Sequence, residues 1–172
     1  MELLINCAAI LILTLPGSFE TATTGTPRQS KEPVWLEVSG EIEHPVKLSA
    51  RDIAGLPHVT VKAKEHSGEE ATFEGVALIQ ILNIAGMKLG EGLRGKALST
   101  YLVVKASDNY QVIFTPPELD PAFTDRVVLL ADKKNGSPLP PSEGPLRIVV
   151  PDEKRQARWV RNVISISVRH AH

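Results

Sequence analysis

Cysteine is almost missing from this chain. The single Cys7 lies in an apolar N-terminal run, so the rest of the 172 residues offers no thiol. That excludes an intrachain disulfide and a thiolate zinc cluster, although many proteins outside the cytosol also lack disulfides. Charge of one sign is lacking too: 19 Lys and Arg against 20 Asp and Glu leave a net −1, and no stretch interleaves basic with aromatic residues. A nucleic-acid partner is therefore not expected. Long hydrophobic runs are absent. The longest, Leu3 to Leu15, has thirteen residues, short of the roughly 20 that cross a bilayer as a helix. A membrane-spanning protein is not expected.

That run, LLINCAAILILTL, is apolar apart from Asn6 and Thr14, and Pro16-Gly17 ends it. Small residues follow at Ala22 to Gly25. The pattern predicts a secretory signal peptide over residues 1–25, a polar linker over 26–33 and a domain over 34–168. An exported, periplasmic or secreted chain is the expectation. One departure is that no Lys or Arg precedes the run and Glu2 opposes the amino-terminal charge. A mis-assigned start or an uncleaved anchor is the alternative.

Patterning in the remainder predicts an α+β, predominantly β domain. Val34, Leu36 and Val38 alternate with polar partners until Gly40, as a half-buried strand does. Ser49 and Asp52 read as a capping box opening a short helix over Ala50 to Gly55. Strands are expected at His58 to Glu65, with Ala71 to Glu74 pairing back, and at Tyr101 to Ala106 and Tyr110 to Thr115 about a Ser107-Asp108-Asn109 turn. Leu78, Ile81, Leu82 and Ala85 share one face of a helix stopped by Gly86. Further strands are expected at Arg126 to Asp132, Leu146 to Val150, and Val160 to Val168, the last alternating through Val160, Ile164, Ile166 and Val168.

Two motifs mislead. Gly90-Glu91-Gly92-Leu93-Arg94-Gly95-Lys96 fits G-x-G-x-x-G, yet a phosphate loop needs a strand before it and a helix after it. Here a helix precedes and a strand follows, so a flexible connection is the better reading. The five histidines, His44, His58, His66, His170 and His172, form no helical i,i+4 pair, and the last two sit at a loose terminus. A zinc site is not expected.

The chemistry concentrates near the C-terminus. Asn135-Gly136-Ser137-Pro138-Leu139-Pro140 runs on to Glu143-Gly144-Pro145-Leu146-Arg147-Ile148-Val149-Val150-Pro151 and ends at Arg158-Trp159-Val160. Pro145 and Pro151 bracket a short apolar strand, and Arg147 stands at its mouth as a permanently charged fork suited to an anion. This run resembles the signature of the oxidoreductase molybdopterin-binding domain. That domain is the pterin-binding core of sulfite oxidase, plant nitrate reductase and the periplasmic methionine sulfoxide reductase.

The resemblance covers about residues 34 to 168 and implies the sulfite-oxidase-type molybdopterin-binding fold, with molybdopterin as cofactor. It implies cofactor contacts at Arg147 and Arg158. It further points to His66 and Ser67, where the family places its catalytic loop, and to Asp108 and Tyr110 near the cofactor mouth. The bland alternatives stay open: Asp108-Asn109-Tyr110 as turn residues, and the two arginines paired with carboxylates such as Asp152, Glu153 or Glu143.

Departures from the pattern matter equally. Family members ligate molybdenum through one cysteine thiolate, and this chain reads Lys64-Glu65-His66-Ser67-Gly68-Glu69-Glu70 in that region. Neither Ser nor His reproduces a soft thiolate. Glu143 replaces the family's usual His or Asn and would repel a phosphate. The folded export of a loaded molybdoenzyme uses a twin arginine, and no Arg-Arg precedes Leu3. The expectation is a scaffold without molybdenum that either holds a pterin phosphate or other small anionic ligand, or serves as a cofactor-free binding module for an envelope protein.

Overall fold

Alternating apolar residues build two five-stranded sheets, and the computed structural model describes residues 32–151 and 153–171. The expected signal peptide and all but two residues of the linker lie outside these. A compact unit begins at Glu32. The first sheet joins β1 (Val34–Gly40), β2 (Val46–Ser49), β5 (Thr100–Ala106), β6 (Gln111–Phe114) and β10 (Val163–His170) in the order β2-β1-β10-β5-β6. The second runs β3 (His58–Lys64), β4 (Glu70–Ala77), β7 (Leu129–Lys134), β8 (Ser137–Pro138), with β9 (Arg147–Val149) also pairing β7. Only β1–β10 is parallel; every other pair is antiparallel. The architecture is α+β and predominantly β, as the patterning predicts.

Local signals set the ends of the two α-helices among the described residues. In α1 (Ala50–Ala54) the Ser49 hydroxyl accepts from the Asp52 amide at 3.3 Å, and the Asp52 carboxylate accepts from the Ser49 amide at 2.8 Å. That is the predicted capping box, which satisfies two orphan amides reciprocally. The helix α2 (Leu78–Ile84) buries Leu78, Ile81 and Leu82 and ends at Gly86, whose φ is +74°. The amides of Gly86 and Met87 donate to the carbonyls of Asn83 and Leu82, closing a Schellman motif that a left-handed residue makes possible.

Several boundaries differ from expectation. Strand β2 was not anticipated, since four residues after His44-Pro45 carry too short an alternation to register. Arg126 to Val128 is not strand: pairing begins at Leu129 and continues to Lys134. On β10 the inward residues are Val163, Ile166 and Val168, while Ile164 is exposed. Pairing with β5 slips between Val163 and Ser165, and such an irregularity turns the following side chains to the other face. His170 is the last residue of β10 and its ring nitrogen lies 2.9 Å from the Thr100 hydroxyl, so it is not loose. The Gly90–Lys96 segment forms turns held by Asp120, whose carboxylate accepts from the Gly90 amide at 2.5 Å.

The core is continuous: Leu36 and Val38 of β1, Phe73 and Val76 of β4, Leu102 and Val104 of β5, and Leu129 and Leu130 of β7 are all fully buried. Burial on this scale fixes strand register, because a one-residue slip would exchange apolar for polar side chains.

Candidate functional site

Three loops meet at one end of the two sheets. The chain leaving β3 brings Glu65 and His66, the β5–β6 hairpin brings Asp108 and Tyr110, and the β9–β10 connection brings Lys154, Arg155, Gln156 and Arg161. Together with Arg147, Trp159 and Asn162 they line a cavity of about 820 Å3, within the range of small-molecule sites.

The hairpin is shaped by its turn chemistry. The Asp108 carboxylate accepts from the Tyr110 amide at 2.9 Å and Asn109 takes a φ of +71°, a combination Asp and Asn tolerate well. This leaves Tyr110 exposed with its hydroxyl donating to the Ala157 carbonyl at 2.6 Å. The facing connection is pinned from other sides: the Gln156 amide donates to the Lys64 carbonyl, and the Trp159 indole donates to the Val150 carbonyl at 3.0 Å.

Arg147 is the most deeply buried charge among the described residues, only 2% exposed. Its Nη1 donates to Glu65 Oε1 at 3.0 Å and to Glu143 Oε2 at 2.5 Å. Lys134 Nζ lies 2.5 Å from the other Glu65 oxygen and 4.0 Å from Glu143. Two cations and two carboxylates thus form a closed, charge-balanced cluster. The guanidinium packs 5.4 Å from the Phe73 ring centroid and 5.3 Å from that of Trp159, and these two rings meet edge to face at 5.9 Å. Cation–π attraction is strongest where water is excluded, as here. Between the rings Arg147 Nε has no partner among the described residues.

Burial raises the Glu65 pKa, but hydrogen bonds from Lys134 and Arg147 outweigh it and hold the carboxyl below its ordinary 4.5. A depressed carboxylate contributes stability that is present above the unfolded value and lost as pH falls through the folded one. The melting-temperature gap between the natural chain and Glu65→Gln should therefore be widest near neutral pH. It should shrink below about pH 4.5. Thermal unfolding of both proteins at about pH 7 and pH 3 checks this; a gap independent of pH would show that Glu65 acts by shape alone.

Arg158 faces elsewhere. It is not among the residues lining the cavity: it donates to Glu153 through Nε and Nη2, to Glu118 at 3.0 Å and to the Ile113 carbonyl at 3.3 Å, and it stacks 4.6 Å from the Phe114 ring. Burial lowers its pKa, and the two carboxylates more than reverse that, leaving it raised. The expected convergence of Arg147 and Arg158 does not occur, because each guanidinium is held by its own pair of carboxylates, Glu65 and Glu143 for Arg147 and Glu118 and Glu153 for Arg158. Of the alternative partners, Glu143 and Glu153 are found; Asp152 lies outside the described residues. Ser67 also stays outside the cavity, its hydroxyl accepting from the Glu69 amide in an exposed turn. His66, Asp108, Tyr110 and Arg147 do come together.

Lys154, Arg155 and Arg161, absent from the expected site, line the cavity and form no ion pair with a described residue. Their density within eight residues around Arg158 was the available signal. Glu65, 82 residues before Arg147, had none.

The cavity thus lies against a two-sheet α+β fold, with Arg147, the first residue of β9, among its lining residues. The oxidoreductase molybdopterin binding domain family model matches residues 23–172, and the chain belongs to that family. It is 31% identical over 156 residues to the uncharacterized oxidoreductase YuiH of Bacillus subtilis (strain 168), covering 85% of this chain and 73% of the relative. It is 26% identical over 161 residues to the NADPH nitrate reductase of Fusarium oxysporum, spanning 74% of this chain but 17% of that much longer protein. The sulfane dehydrogenase SoxCD from Paracoccus pantotrophus shares the fold at a TM-score of 0.60 and 20% identity, over 77% of this chain and 37% of that one. The fold is thus of the sulfite-oxidase type.

The family's cofactor meets these residues unevenly. Among the described residues the lining supplies no sulfur. No group of three or more His, Cys, Asp or Glu among the described residues could hold a metal ion. A protein–thiolate molybdenum centre does not fit this donor set. Three cations of the β9–β10 connection, Lys154, Arg155 and Arg161, line the cavity beside the carboxylates of Glu65 and Asp108.

Proposed function

We propose that this protein is a molybdopterin-binding-domain member that holds a small anionic ligand, a pterin phosphate or another phosphorylated molecule, without molybdenum ligated by the protein. The observation that carries this reading is the division of charge among the cavity-lining residues: Arg147 and Glu65 are neutralised within the Glu65–Arg147–Glu143–Lys134 cluster, while Lys154, Arg155 and Arg161 line the same cavity with no ion pair to a described residue. A site without its metal-ligating side chain loses most of its metal affinity, because ligand and supporting groups act together. The same charge balance at Arg147 favours a second reading, a cofactor-free binding module of the cell envelope. In that reading the cluster stiffens a scaffold whose partner is another protein.

Two measurements on the full-length chain purified from its native compartment decide the matter. Elemental analysis is expected to find far less than one molybdenum per chain; stoichiometric molybdenum would overturn the metal-free reading. Titration with phosphate, pyrophosphate and a pterin phosphate is expected to saturate below millimolar concentration. No saturation would leave the partner-module reading. We further propose that the chain is exported, on the strength of the apolar Leu3 to Leu15 run. Mass spectrometry of natively produced protein should show the first residues removed, and an intact Met1 on a soluble chain would refute it.

A further inference from the structure

We infer that Lys154, Arg155 and Arg161, rather than the motif arginines Arg147 and Arg158, bind the anion, and that Arg158 is a positioning residue that holds the loop presenting them. This rests on the anion-site reading above and names the groups that would carry it.

Charge accounts for the division of labour. Arg147 and Lys134 face two carboxylates, and Arg158 alone faces two more, Glu118 and Glu153. A dianion approaching either arginine would have to displace a carboxylate already hydrogen-bonded to it, or lie beside that carboxylate at repulsive distance. Lys154, Arg155 and Arg161 stand on the cavity wall, solvent-exposed and without a carboxylate partner among the described residues. Their long side chains can converge on a phosphate at little cost in desolvation.

Exposed cations bind weakly unless their backbone is fixed, since ordering a mobile loop opposes binding. Here the loop is fixed from four sides. Arg158 ties its centre to Glu118 and to the Ile113 carbonyl of β6, Gln156 ties it to the end of β3, Tyr110 holds Ala157, and Trp159 anchors to Val150. Arg158 acts through this scaffold without lining the cavity. Its contribution is the geometry of its neighbours at 154, 155 and 161.

The test is calorimetric titration of the full-length protein with inorganic pyrophosphate at two salt concentrations. The variant Lys154→Gln/Arg155→Gln/Arg161→Gln alters exposed side chains and should keep the natural melting temperature. It should lose about tenfold or more in affinity and much of the salt dependence, since screened charge contacts are what salt weakens. Arg158→Gln should also weaken binding, but with the natural salt dependence retained, and Arg158→Lys should restore part of the affinity. Full pyrophosphate affinity in the triple variant would overturn the inference while leaving the anion-site reading intact. An Arg158→Gln variant that loses salt dependence as the triple variant does would show Arg158 to be a direct contact, and would overturn its positioning role. If the natural chain itself fails to bind pyrophosphate, phosphate or the pterin phosphate, the underlying reading fails first, and this inference with it.

Discussion

Replacing Arg147 with alanine is expected to destabilise the protein by about 3–5 kcal/mol, the usual cost of removing one partner from a buried ion pair. The side chain is 2% exposed and sits between Glu65 and Glu143, themselves largely buried at 18% and 14%. Removing the guanidinium leaves two carboxylates facing each other with only Lys134 to compensate, and opens a void between Phe73 and Trp159. In a domain of this size that corresponds to a fall in melting temperature of roughly 10 °C. Urea unfolding is the direct check. A loss of less than about 1 kcal/mol, the value of an exposed pair, would mean the cluster is wetter than its geometry states.

Removing the whole cluster separates lost charge pairing from lost volume. Arg147→Met and Lys134→Met combined with Glu65→Gln and Glu143→Gln remove all four charges together, and a buried ion cluster replaced by uncharged groups of similar volume often loses little stability. The quadruple change should therefore recover most of what Arg147→Ala loses. Such recovery would identify the buried, unpaired carboxylates as the source of the penalty.

Much of this was legible in the chain. The capping box at Ser49 and Asp52, the stop at Gly86 and the hairpin at Asp108-Asn109 each depend on a few adjacent residues, and local chemistry suffices for them. Arg147 was legible as exceptional from the Pro-Leu-Arg context, but its role was not, because Glu65 comes from a strand end far away in sequence. Arg158 looked like a ligand for the same reason: its carboxylate partners at Glu118 and Glu153 are fixed by folding, and nothing in its neighbours distinguishes a contact from a brace. The cations at 154, 155 and 161 are not legible as a site, because in sequence a charge run beside a turn has the same pattern as solvated surface. The alternation predicts β4 only as far as Glu74, whereas the strand runs on to Ala77 through Gly75, a residue with no side chain to carry the pattern.

Gly75→Ala is expected to destabilise the protein by about 3 kcal/mol, the upper end of what overpacking a dense core costs. A Cβ at this position would lie 2.2 Å from the Leu130 carbonyl oxygen and 2.5 Å from the Ala131 Cα, both backbone atoms of β7. Neither can step aside as a side chain tip would, because β7 is held by β4 on one side and β9 on the other. The close approach marks a bulge: Glu74 pairs with Lys133 and Gly75 with Ala131, leaving Asp132 without a partner in the ladder. A bulged residue is re-aimed, and Asp132 reaches His58 Nε2 at 3.2 Å while the His58 Nδ1 lies 2.8 Å from the Leu56 carbonyl. Beyond the bulge, Lys134 turns toward Glu65 and Glu143 and completes the ion cluster behind Arg147. Forcing β7 away from β4 therefore strains a strand pair and pulls Lys134 from the cluster together. Urea unfolding should report the loss, and hydrogen exchange should show it concentrated at Leu129 to Lys134 and Glu70 to Ala77 rather than in the β1–β10–β5 sheet. A variant of unchanged stability would mean that the two strands can separate freely, and would remove the mechanical link between the β4–β7 bulge and the site.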